Sequence, residues 1–445
     1  MRTHRHSHRR QTIAFVVLML LVIQILAACG GGSPQTGQDE GTPGAEQPTT
    51  VPTKAAEQPP TATPSSPHQP TATAGEPGTP ERPSPTPPPP GAILSTPRLE
   101  YGVVAHLYYT DRERALTLAK NAGFDWVRQQ IHWKDIEGPK GNFGWGELDA
   151  IVEAANAHNI KLLISVVQSP SWARADGKHG LPDNPKDLGD FVEALATRYK
   201  GRVHGYEIWN EQNLAIENAG QVTAEDAAHY VELLIESYKR IKAVDPNAYV
   251  LAGAPSSTET NDPNIAIGDL EYYRLMYTYK DGIIKNYFDA QAVHPGGALN
   301  PPDTLWPENP GPGPEFQTSR EFYFRRIEDV RKVMEEHGLA DRQIWITEFG
   351  WATANNTPGY EFGNRISYEL QAEYILGALQ RTRNHYPWVG VIFLWNLNFA
   401  VLWGEQGNPL HEQASYGILN PDWSPRPAFH VVQGFIHAVR QEEGW

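Results

Sequence analysis

The chain of 445 residues has a single cysteine, so no intramolecular disulfide and no multi-cysteine metal cluster can support it. It is also short of positive charge. Lys and Arg number 37 against 52 Asp and Glu, a formal net charge of −15, which argues against a nucleic-acid partner. Aromatic residues are missing from one stretch altogether. Residues 30–97 hold no Trp, Tyr or Phe, yet carry 18 of the 38 prolines among Thr, Ser, Gln, Glu and Ala. Such a segment has too little apolar surface to offset its chain entropy, and it reads as an extended, disordered Pro/Thr/Ser-rich linker. No HxH pair occurs beyond residue 98 and paired histidines on a first strand are lacking, so neither a resident metal nor another cofactor is expected.

What is present divides the chain into three. Residues 1–29 open with Arg2, Arg5, Arg9 and Arg10, continue through an apolar run from Ile13 to Leu26, and end Leu26-Ala27-Ala28-Cys29. The run is too short for a comfortable membrane span and reads as a signal sequence. The lone cysteine falls at its end, which predicts a bacterial lipoprotein with lipid on Cys29, tethered to a membrane outside the cytoplasm by the linker. Residues 98–445 form the folded domain and hold all 13 tryptophans.

In that domain short β-branched or aromatic runs alternate with amphipathic stretches. The expected strands are Tyr101–Tyr108, Trp126–Trp133, Lys161–Val167, Val203–Trp209, Tyr249–Ala254, Phe288–Val293, Gln343–Thr347 and Val389–Trp395. Helical spacing appears in Leu148, Ile151, Val152 and Ala155, in Val231, Leu234, Ile235 and Tyr238, and in Leu370, Tyr374, Ile375 and Ala378. Eight β-then-α units predict an α/β fold, a (β/α)8 TIM barrel. A doubly wound open sheet is the alternative, but no glycine-rich loop follows the first strand.

Chemistry in such a barrel sits where strands end. The fourth expected strand runs into Ile208-Trp209-Asn210-Glu211-Gln212-Asn213, and the seventh into Ile346-Thr347-Glu348-Phe349-Gly350-Trp351. Two carboxyl groups facing each other across the mouth suit glycoside cleavage, in which one gives a proton and the other attacks carbon. Glu207 lies four residues before Glu211. Strand alternation puts it, with Trp209, on the same face and one layer deeper, as a buried structural carboxylate. Trp172, after the third strand, is a candidate platform for sugar; Trp133, Trp351 and Trp403 read as packing or contact, and Gln168 and His106 as weaker contacts.

The two motifs resemble the acid/base and nucleophile signatures of retaining clan A glycoside hydrolases, families 5 and 39 most nearly. The resemblance implies a retaining glycosidase acting on a β-linked polysaccharide or oligosaccharide. It implies Glu211 as general acid/base, Glu348 as nucleophile, and Asn210 as a contact to the sugar 2-hydroxyl. Arg128 matches the arginine that bonds the nucleophile, Trp395 the aromatic floor under the sugar, and His294 a histidine after strand six. A tyrosine often stands two residues after that histidine; here it is Gly296. A transglycosylase acting on the cell's own exopolysaccharide, or a carbohydrate-binding pseudoenzyme, would use the same cleft. Residues 296–314, rich in Pro, Gly and Asn around Trp306, are expected to wall it, so that deletion changes substrate preference more than stability. Oligomeric state is not legible.

Overall fold

The computed structural model describes residues 93–444; Cys29, the signal sequence and nearly all of the linker lie outside the described residues. Eight parallel strands close into a barrel in chain order. They are β1 (Glu100–Val104), β2 (Trp126–His132), β3 (Lys161–Val167), β4 (Gly205–Ile208), β5 (Tyr249–Ala252), β6 (Ala290–Val293), β7 (Gln343–Phe349) and β8 (Val389–Leu394). After each strand comes one long helix: α1 (Arg112–Asn121), α2 (Gly146–Ala157), α3 (Pro185–Tyr199), α4 (Ala224–Val244), α5 (Asp269–Thr278), α6 (Arg326–Glu336), α7 (Tyr368–His385) and α8 (Pro427–Glu443). The protein is a (β/α)8 TIM barrel.

Alternation along the strands sorts the side chains into two cores. One face packs outward beneath the helices, where Val127, Ile164, Tyr206 and Ile346 meet Leu148, Leu195 and Ile375. The other face fills the barrel. Trp126, Trp345 and Phe393 crowd the lower interior with Tyr249; Trp126 and Trp345 lie 5.1 Å apart, edge to face at 69°. Gly102 is needed there, because a Cβ on it would stand 2.4 Å from the Phe393 ring. Beneath the rings, buried Glu100 accepts the Trp126 indole N–H at 2.6 Å and pairs with Lys161 at 2.7 Å. Leu94 and Thr96 already join this end: the Leu94 N–H donates to Asp289, and the Thr96 N–H to Gln343.

Above the aromatic plug the interior turns polar, with Arg128 on β2, Ser165 on β3 and Glu207 on β4 all fully buried. A charged layer on a packed base, below the ends of the strands, is what positions the site.

Candidate active site

Three strand ends depart from regular geometry. After β4 the backbone turns left-handed at Trp209 (φ 69°) and Glu211 (φ 48°). The Trp209 N–H still reaches Val166 O at 3.0 Å, but the Glu211 N–H crosses to Ala254 O at 2.8 Å. Gly253 permits this close approach, since a Cβ there would lie 2.5 Å from Ile208 O. Buried Tyr230 fixes the same corner, donating to Ile208 O and accepting from the Gly253 N–H. The expected alternation therefore breaks after Ile208. Glu207 points into the barrel, whereas Trp209 packs in the outer core with Tyr206 and Ile208 rather than on the same face. On β7 the register shifts between Ile346 and Phe349, and this irregularity turns Glu348 into the mouth. After β8 the Trp395–Asn396 peptide is cis, and the Trp395 ring sits at the rim 4.9 Å from Phe399.

The polar groups converge on Arg128. Its Nε donates to Glu207 Oε2 and its Nη1 to Glu348 Oε1, both at 2.7 Å. Nη2 donates to Asn210 Oδ1 at 2.7 Å and to Ser165 Oγ at 3.3 Å. Glu207 is thus the buried carboxylate expected of it, but its partner lies two strands away across the interior. His294 joins the two strand-end glutamates. Its Nδ1 meets Glu211 Oε1 at 3.2 Å, and its Nε2 meets Thr347 Oγ1 at 3.0 Å and Glu348 Oε1 at 3.8 Å. Arg128, Glu348 and Asn210 thus form one hydrogen-bonded group and His294 and Glu211 another, and the 3.8 Å approach of His294 to Glu348 brings the two together as one charged cluster.

Electrostatics in the cluster are a contest between burial and charge. Burial raises Glu348 above the ordinary carboxylate range, helped by Glu211 and Glu207, while His294 and Arg128 pull it down. Arg128 alone would hold this carboxyl low; burial outweighs it. Burial also works against a charged His294, but there the two flanking carboxyls win and raise the imidazole. A protonated His294 donates to both Glu211 and Thr347.

The outlying candidates separate. Trp172 is half-buried, its indole N–H donating to Gly138 O at 2.6 Å, its edge on Trp133 and Lys140 over its ring. Trp133, Trp351 and Trp403 are buried packing residues with bonded indole nitrogens. His106 stands edge-on to Phe399 at 6.1 Å, and burial lowers its imidazole to about 4, so it is neutral. Gln168 has a left-handed backbone (φ 53°) and a buried side-chain oxygen without a partner among the described residues. Gly296 has a steric reason: a Cβ there would lie 2.0 Å from Glu321 O.

Sequence reasoning missed three groups. Ser165 and Thr347 support Arg128 and His294; both were within reach, Ser165 as the register partner of Glu207 and Thr347 as the neighbour of Glu348. Tyr416 gave no signal. It comes from the loop after β8, where its Cδ1 approaches the Gly350 Cβ position at 3.2 Å and its hydroxyl feels the charge of Glu348.

Comparison with known proteins agrees with this architecture. A family 39 glycoside hydrolase from Bacteroides cellulosilyticus superposes with a TM-score of 0.56 at 21% identity, over 78% of this chain and 65% of that one. The chain thus spans less than two thirds of that relative's length. A glucosidase from Croceicoccus marinus (TM-score 0.53, 13% identity) covers 78% of this chain and 69% of that one. GH5_18 from Streptomyces cattleya, solved with GlcNAc (TM-score 0.53, 17% identity), covers 78% and 82%. These likenesses are of fold. The family itself is given by residues 96–398, which match the description Cellulase (glycosyl hydrolase family 5). With a closed barrel, two glutamates at the ends of β4 and β7 and a match over most of its length, the chain belongs to glycosyl hydrolase family 5, within clan A.

Proposed function

We propose that the protein is a retaining glycosidase that cleaves β-linked polysaccharide or oligosaccharide by double displacement. Glu348 is the nucleophile and Glu211 the general acid/base. The observation that carries this reading is the unequal setting of the two glutamates. Glu348 alone receives the buried guanidinium, through Arg128 Nη1 at 2.7 Å, while Glu211 is held through His294.

In the first step Glu211 gives its proton to the glycosidic oxygen as a Glu348 oxygen attacks the anomeric carbon. The bond to the departing sugar breaks, that sugar leaves as an alcohol, and a glycosyl ester forms on Glu348. Glu211 is now a carboxylate. It takes a proton from water, whose oxygen attacks the same carbon and releases Glu348, so two inversions retain the configuration. Arg128 and His294 are the cations that favour the ionised nucleophile. Because Asn210 Oδ1 is occupied by Arg128, its amide N–H2 is left to donate to the sugar 2-hydroxyl. Trp395 supplies an apolar floor for the sugar ring, and Trp172 a further platform along the cleft. The glucosidase and the GlcNAc complex among the structural relatives support a hexose polymer as substrate class.

The test is a pair of variants. Glu348→Ala and Glu211→Ala should each lose activity by orders of magnitude. Azide should restore part of it, giving opposite anomers of the glycosyl azide in the two variants. Full activity in either overturns the assignment. The Ala-Ala-Cys29 ending further supports an extracytoplasmic lipoprotein; Cys29→Ser should move the enzyme from the membrane to the soluble fraction.

A further inference from the structure

Glu217 has no part in the chemistry above. It sits in the single turn Ala215–Asn218 that folds the loop after β4, six residues beyond Glu211. The loop is held on all sides. The Leu214 N–H donates to Glu211 O at 2.9 Å and the Ala215 N–H to Ile265 O at 2.8 Å. Asn218 Nδ2 reaches Gln212 O and Leu214 O at 2.6 and 2.9 Å. Glu217 is only 5% exposed, and this bonding keeps it from swinging outward.

Other deeply buried acids in this barrel have bonded partners. Glu207 has Arg128, Glu100 has Lys161 and Trp126, and Asp269 has Arg326. The Glu217 carboxyl makes no hydrogen bond and no ion pair among the described residues. Its oxygens are not sealed from solvent, so the small surface that Glu217 keeps open includes the carboxyl itself, which leaves it free to meet a ligand. The charges that reach it are Glu211, in its own loop, and Glu348, at the end of β7. The loop that carries it begins at Glu211, where β4 opens on the mouth, and its turn is bonded back onto Glu211 through the Leu214 N–H. Burial first, and then those two carboxyls, push it up to about 8, so at neutral pH it is an uncharged acid. An uncharged carboxyl both donates and accepts hydrogen bonds, as a sugar hydroxyl does.

We propose that Glu217 is a specificity residue that hydrogen-bonds a hydroxyl of the sugar on the leaving-group side of Glu211. The inference rests on Glu211 being the acid/base, because that role places the glycosidic oxygen beside the loop that carries Glu217. Glu211 also acts on it more strongly than Glu348 does.

The experiment compares Glu217→Ala and Glu217→Gln with the parent enzyme on p-nitrophenyl β-cellobioside, which has no sugar on the leaving side, and on cellotetraose. Glu217→Ala should lower kcat/KM for cellotetraose at least about fivefold more than for the aryl glycoside, the scale of one lost hydrogen bond. Glu217→Gln, which also donates and accepts, should recover most of the difference at pH 7. In the parent enzyme KM for cellotetraose should rise as pH passes through about 8, and in Glu217→Gln it should not. Equal losses on both substrates, or an alkaline rise in KM that persists in Glu217→Gln, overturn the proposal. Cellotetraose binding to Glu348→Gln, with and without Glu217→Ala, reads the contact apart from turnover. About tenfold weaker binding is expected, and undiminished affinity overturns it. Failure of the underlying mechanism would appear differently, as full turnover by Glu348→Ala.

Discussion

Arg128 Nη1 donates to Glu348 Oε1 at 2.7 Å from a guanidinium with no exposure, while the carboxyl it reaches keeps 19% of its side-chain surface open. The cation is thus fixed from below and the Glu348 carboxyl presented above. What fixes it is the second carboxylate, Glu207, fully buried on Nε. The charge order from the interior to the mouth is minus, plus, minus, and it sets the acidity of Glu348 from two directions.

This ladder predicts opposite shifts in the acid limb of kcat/KM. Arg128 lowers the Glu348 carboxyl and Glu207 raises it. Arg128→Met removes the lowering influence, so Glu348 holds its proton to higher pH and the acid limb moves up. Glu207→Gln removes the raising influence, so the limb moves down. Profiles of both variants against the parent check the signs. Two shifts in the same direction would mean that the limb reports a different group.

Glu207→Ala is a harsher change. It leaves the Nε end of a buried guanidinium without its counter-charge, and breaking one side of a buried pair costs about 3–5 kcal/mol. Activity should fall with stability, because the pair is what orients Nη1 toward Glu348. Urea unfolding of this variant beside Glu207→Gln separates the lost charge from the lost packing, with the glutamine variant the more stable.

Gly296 controls how the loop after β6 lies on the barrel. With a Cβ expected 2.0 Å from Glu321 O, Gly296→Ala must push the two segments apart, which overpacking places at about 1–3 kcal/mol. The strain lies two residues from His294, so kcat should fall too. The same loop answers the sequence-based expectation for residues 296–314. Leu299, Leu305 and Asn300 are buried, and Asn300 O accepts the Trp351 indole N–H at 3.0 Å. Deleting the whole loop would therefore cost stability first, contrary to that expectation. Trp306→Ala, at its half-buried tip, is the change expected to alter the ratio of activities on short and long substrates with little effect on the melting temperature.

Much of this was legible because strands and helices carry their own periodicity. All eight expected strands exist, and β3 has the expected bounds. Most of the expected ends overran, as with Val203–Trp209 against Gly205–Ile208, because the apolar run continues after the backbone has left the sheet. Glu211 and Glu348 could be found because they sit at strand ends, where barrel topology alone gives their position. Tyr416 and Glu217 could not. Each reaches the mouth through a loop whose path is set by tertiary hydrogen bonds, such as those from Asn218, and no local pattern records such a path. Trp209 falls on the opposite face from the one alternation predicts for a related reason: one left-handed residue reverses the face on which a side chain falls.

A second buried acid, away from the mouth, makes folding stability depend on pH. Glu321 lies late in the connection after β6, in the turn Arg320–Phe322, is 5% exposed, and accepts the Glu259 N–H. The nearby guanidinium of Arg326 is committed to Asp269, at 2.6 and 3.0 Å. Burial pushes Glu321 up to about 7. In the unfolded chain an ordinary glutamate ionises near ~4.3. Its raised value therefore contributes stability that is fully present below about 4.3 and is lost as pH rises through about 7. The loss is on the order of 3 kcal/mol and levels off above that range. Glu321→Gln keeps an oxygen for the Glu259 N–H and cannot ionise. Its melting temperature should exceed that of the parent above pH 7 and converge with it near pH 4.5. Parallel curves for the two proteins across that range would show that Glu321 is not the group that titrates.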